Sequence, residues 1–101
     1  MRIYFERSGG FTGIVLSTTV DTDSLTSEEA TFFQSKIEQA GFFDLPESLN
    51  APGGGVDRFQ YRLSVETEEQ KHTVEFGEAA VPEQLRPLLE RLSTLARSPR
   101  R

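Results

Sequence analysis

The chain has no cysteine, no tryptophan, one methionine and one histidine in 101 residues. Without cysteine there is no disulfide, no thiolate metal site and no thiol nucleophile. With His72 alone, no second imidazole exists to complete a metal pair, and no serine has a histidine partner at a recognisable spacing. Basic residues are also scarce. Eleven Lys and Arg against 16 Asp and Glu give a net charge of −5 and an isoelectric point near 4.8. Phosphate neutralisation needs a basic surface, so no nucleic-acid partner is expected. No apolar run approaches the ~20 residues that span a bilayer, so no membrane partner is expected either. The opening Met1–Glu6 lacks the apolar stretch of a secretory signal, which points to a cytoplasmic location.

What is present suits one small domain. Hydrophobic residues make up 36%, and Leu, Ile, Val and Phe number 27, above the ~20% below which a chain tends to disorder. The expected organisation is one domain over 1–97 and a disordered polar tail over 98–101. Ile3 and Phe5 alternate with Arg2, Tyr4 and Glu6 as in a half-buried strand. The glycine-rich stretch Ser8–Gly13 predicts a turn, and a second strand runs from Ile14 to about Val20. Thr26-Ser27-Glu28-Glu29 is a capping box opening a helix over 27–40, with Gly41 placed to end it. Phe42, Phe43 and Leu45 are read as core plugs in a long connection containing Pro46 and Pro52. Ala51–Gly55 is the most flexible stretch by composition. Phe59, Tyr61, Leu63 and Val65 mark a third strand from Arg58 to Glu66. His72, Val74 and Phe76 mark a fourth, after the polar turn Thr67–Gln70. Leu85, Leu88, Leu89, Leu92 and Leu95 form the stripe of a second helix. Pro82 suits its first position, and Pro87 either distorts the opening turn or marks where regular helix begins.

The order ββαββα predicts an α+β fold: a four-stranded antiparallel sheet, in spatial order 2-1-3-4, with two helices packed on one face. The first helix is expected to carry the chain back across the sheet to the end where the first turn lies. Three connections would then gather there: Ser8–Thr12, Gly41–Asp57 and Gly77–Val81. Loops on a rigid sheet are where binding residues concentrate.

Catalytic readings are poor. His72 falls on the apolar side of its strand, as a structural imidazole would. Asp21, Thr22, Asp23 and Glu28 lack the glycine and terminal glutamate of a calcium loop and read as capping residues. Gly53-Gly54-Gly55 is followed by neither Lys-Ser/Thr nor a helix, so it is no phosphate loop. No cofactor is expected, and the chain is not expected to be an enzyme. What remains is a surface. Phe11, at a turn tip between Gly10 and Thr12, either folds back over the sheet edge or anchors a partner by burying ~150–250 Å². Asp57, beside the glycine run, either satisfies nearby amides or presents a carboxylate to a cation.

Three blocks carry a resemblance: Arg7-Ser8-Gly9-Gly10-Phe11, Gly55–Leu63 and Val81–Leu89. Together they make the chain resemble the emfourin family from about Arg2 to Ala96. The resemblance implies a non-catalytic inhibitor of thermolysin-like zinc metalloproteases (the M4 class), especially protealysin-like ones. It implies two neighbouring flexible loops, one supplying an aspartate to the enzyme's zinc and the other hydrophobic groups to its subsites. Carried onto this chain, the first protease-binding loop is Gly9, Gly10, Phe11 and Thr12. The second holds Val56 and Asp57, with Asp57 the ligand for the target's zinc. Asp57 is preferred to Asp21, Asp23 and Asp44 because strand direction puts it near Phe11; Glu78 is the fallback. A monomer is expected. The alternative is an interaction module of the same shape with an unrelated partner.

Overall fold

A computed structural model describes residues 1–9, 15–49 and 59–97. Its elements are β1 (Arg2–Gly9), β2 (Leu16–Asp21), α1 (Ser27–Gln39), β3 (Ser48–Leu49), β4 (Phe59–Glu66), β5 (Lys71–Gly77) and α2 (Arg86–Arg97). The sheet order is β2-β1-β4-β5-β3. Alternation placed the four long strands correctly, and every pairing among them is antiparallel. The expected four-stranded antiparallel sheet is nonetheless a five-stranded mixed one. Past Pro46 the chain lies extended along β5, with Ser48 opposite Glu75 and Leu49 opposite Phe76 in parallel. The Glu75 N–H donates to the Glu47 carbonyl at 2.8 Å, so backbone groups at the outer side of β5 find partners. A two-residue strand is too short for any side-chain period to reveal it.

Inward-pointing residues make one core. Ile3 and Phe5 of β1, Leu63 and Val65 of β4, and Val74 and Phe76 of β5 meet Phe33 and Ile37 of α1 and Leu85, Leu88 and Leu92 at α2. Each such side chain contributes roughly 1.5–3 kcal/mol of burial. The opposite face of the sheet is polar and faces water. There Arg62 donates from Nε and Nη2 to Glu75 at 3.0 and 2.7 Å, and the Ser64 and Thr73 hydroxyls lie 2.7 Å apart.

Helix α1 starts as its sequence dictates, while α2 starts later than Pro82 suggested. Thr26 Oγ1 accepts from the Glu29 N–H at 3.2 Å, while the Glu29 carboxylate receives Arg91 and so joins α1 to α2. Gly41, with φ +61°, ends α1 in the left-handed conformation. Pro82 precedes a single 3₁₀ turn, Glu83–Leu85, and regular helix begins at Arg86, so Pro87 sits in a first turn where no amide is needed. Among the described residues no helix is long and apolar enough to cross a membrane.

The route between α1 and β4 differs from expectation. The Thr22 N–H donates to the Met1 carbonyl at 2.9 Å, and Gly41–Asp44 share a hollow with Met1 and Thr67–Gln70. Helix α1 therefore begins and ends at the Met1 end of the sheet, which we term the base. It does not return to the turn end. The segment from Leu45 through β3 makes that journey, running alongside β5.

Candidate functional site

The end of the sheet remote from Met1, the tip, is assembled by strand register. Arg2 pairs with Glu66 and Gly9 with Phe59, so the β1–β4 ladder holds eight pairs and is about 24 Å long. Gln60 pairs with Gly77, which brings the end of β5 to the same place. Gly9 has φ +103°, a backbone conformation that only glycine adopts without strain.

The helix-side surface near this end is built from rings and guanidiniums. Tyr61 packs on Phe5 and Phe76, with ring centroids 6.1 and 6.0 Å away. The next ring toward the tip, Phe59, carries the Arg7 guanidinium 4.6 Å from its centroid, a cation–π contact that covers the end of the ladder. Below them, between the strands and α2, lies a groove of about 410 Å³. Arg7, Arg86 and Arg97 line it with Glu78 and Glu90.

Of the residues expected to bind a protease, Gly9 is described, and it is exposed at the end of β1. Gly10, Phe11, Thr12, Val56 and Asp57 lie outside the described residues, as do Arg58 and the 98–101 tail. The chain leaves Gly9 toward Phe11 and reaches Phe59 from Asp57, and Gly9 and Phe59 are ladder partners. Of the three connections expected to converge, those after β1 and β5 start at the tip. The Gly41–Asp57 connection starts at the base, and its described part runs toward the tip alongside β5 as far as Leu49, opposite Phe76. Glu78, the fallback ligand, is half-buried in the 3₁₀ turn after β5 and lines the groove.

The rejected aspartates lie elsewhere. Asp21 caps the turn Thr22–Ser24 by accepting from the Asp23 N–H at 3.0 Å, and Asp23 and Asp44 line the hollow at the base. His72 is the structural imidazole its strand position suggested. Its Nε2 lies 2.7 Å from the Leu45 carbonyl, with the Phe42 ring edge-on at 5.5 Å. Among the described residues, no group of three or more His, Cys, Asp or Glu is placed to hold a metal.

Sequence reasoning missed two features of the tip. Val15, assigned to the second strand, precedes β2 and is 54% exposed. The groove was missed as well. Arg86 and Arg97 are eleven residues apart, three helical turns, so their common flank was legible once the helix was known to begin at Arg86. Their meeting with Arg7 was not.

A family model described as Emfourin matches residues 5–93. No curated protein and no solved structure matches the chain. The match covers most of the sequence, so the chain belongs to the emfourin family, whose members are protease inhibitors.

Proposed function

Proceeding from membership of a family of protease inhibitors, we propose that this chain blocks thermolysin-like zinc metalloproteases by occupying the active site with two adjacent segments. Asp57 supplies a carboxylate oxygen to the enzyme's zinc. Gly9, Gly10, Phe11 and Thr12, with Val56 alongside, fill the neighbouring subsites. The observation that carries this reading is the pairing of Gly9 with Phe59. It roots the segment bearing Phe11 and the segment bearing Asp57 on facing positions of one ladder.

The chemistry follows from the enzyme's open coordination position. A catalytic zinc holds three protein ligands and a water. A carboxylate oxygen at ~2.0–2.2 Å displaces that water, removing the nucleophile and the Lewis-acid site together. No peptide carbonyl of the inhibitor need sit on the metal, so the inhibitor is not cut as substrate. Burial of the Phe11 ring adds a few kcal/mol at most, at about 25 cal/mol per Å² less ordering costs.

The decisive experiment is an inhibition assay against a thermolysin-like protease, with a serine protease as control. The wild-type chain inhibits the first and not the second. Asp57→Ala loses inhibition by at least about a hundredfold, the scale of an uncompensated charge-assisted contact, with an unchanged melting temperature. Phe11→Ala weakens it less. Wild-type potency in Asp57→Ala removes the zinc-ligand role, and no inhibition by the wild-type chain across several such proteases removes the reading altogether.

A further inference from the structure

The two ends of the molecule differ in charge. The hollow at the base, about 650 Å³, is lined by Asp23, Glu38, Asp44, Glu68 and Glu69 and by no Lys or Arg. The groove at the tip carries three guanidiniums, Arg7, Arg86 and Arg97, against Glu78 and Glu90. A chain of net charge −5 therefore shows a cationic surplus beside the end where the Phe11 and Asp57 segments are rooted. At the end about 24 Å away, carboxylates outnumber cations: Asp21 and Glu66 join the five of the hollow there, with the Met1 amino group, Arg2 and Lys71. Arg86 and Arg97 are exposed, and they stand three turns apart, about 16 Å, along α2.

We infer that the surface of the target facing this groove is acidic, and that charge orients the inhibitor tip-first as it approaches. The inference rests on the inhibitor reading and names the chemistry of the partner. Fields of this kind raise association rates by roughly 10–10³-fold and fade with salt. Near ~0.1 M salt the screening length is about 10 Å, so the tip guanidiniums act on an enzyme in near-contact while the base carboxylates are screened from it. At ~0.01 M the length is about 30 Å, and the whole charge asymmetry orients the encounter.

The test measures association and dissociation rates with a thermolysin-like protease whose active-site rim is acidic. R86E/R97E is compared with K36E/K71E, which changes net charge equally at positions on α1 and at the base end of β5. Melting curves check both variants, and R86Q/R97Q serves should charge reversal disturb α2. At about 0.1 M salt, R86E/R97E associates at least about tenfold more slowly, with a smaller change in dissociation. K36E/K71E stays within about threefold of wild type, R86Q/R97Q falls between, and wild-type association slows as salt rises. Should the wild-type chain inhibit while both reversals slow association equally, or neither does, the acidic-rim inference is wrong and the inhibitor reading stands. No inhibition by the wild-type chain overturns both.

Discussion

Two glycines with positive φ separate presentation of the proposed inhibitory segments from simple stability. Gly9, φ +103°, lies at the end of β1, where the chain departs toward Phe11, and Gly41, φ +61°, lies at the base after α1. A Cβ at Gly41 would meet nothing within 4 Å, so Gly41→Ala carries only the backbone cost of a left-handed alanine, about 1–2 kcal/mol, less a few tenths recovered by a stiffer unfolded chain. For a domain of this size that lowers the melting temperature by roughly 4–8 °C per kcal/mol. Gly9→Ala is more strained, because +103° lies beyond the left-handed well that alanine can occupy, and roughly 1–3 kcal/mol is expected. The strain can be relieved by rotating Gly9 toward negative φ, which swings the departing segment away from its partner strand. The two variants should therefore melt within several degrees of each other and inhibit very differently. Gly41→Ala keeps wild-type inhibition. Gly9→Ala loses about 1–2 kcal/mol of binding, roughly five- to thirtyfold in the inhibition constant. Melting curves and inhibition titrations on the two proteins decide the matter. Equal inhibition by both, with Gly9→Ala measurably destabilised, would refute the claim that this glycine aims the first segment.

Two further outcomes bear on the scaffold. Phe33 is fully buried between α1 and the sheet, so Phe33→Ala should cost about 3–5 kcal/mol, a large share of the ~5–15 kcal/mol of a typical domain; a melting temperature within a few degrees of wild type would contradict the assigned core. Tyr4 has its hydroxyl pKa raised above 10.0, first by burial and then by its hydrogen bond to Glu6. The unfolded chain thus loses this proton first, so stability is full below about pH 10 and falls as pH climbs toward the folded-state value. Tyr4→Phe should flatten that alkaline fall, and equal slopes in pH-dependent melting would count against it.

How far the fold was legible depended on the length of the signal. Ile3/Phe5, Leu63/Val65 and Val74/Phe76 sit on strands long enough for a period of two to show, and the order of those strands followed. Thr26 and Gly41 bracket α1 because caps are local chemistry. The crossing direction of α1 was not legible. It depends on how Phe33 and Ile37 seat against the sheet, and a helical stripe states which face is buried without stating which way the axis points. Ser48–Leu49 was invisible for want of length. At the site, the rooting of the two segments on facing strands was expected from a helix that returns to the turn end; the pairing of Gly9 with Phe59 bears out the placement, but the segment through β3, not α1, carries the chain there. The cationic groove was hidden because Arg7 lies on a strand and Arg86 and Arg97 on a distant helix, and only folding brings them together.

The rung joining Gly9 to Phe59 also has a mechanical meaning. Residues opposed across an antiparallel ladder stand about 4.5–5.5 Å apart, so the two segments share one root at the last rung of the β1–β4 ladder. Under the proposed two-segment mechanism, engagement of one segment would hold the other near its own target at the high local concentration of a short tether, making the second contact intramolecular. A redesign for another protease would therefore treat the pair as a single cassette, exchanging both segments together above an unaltered Gly9–Phe59 rung.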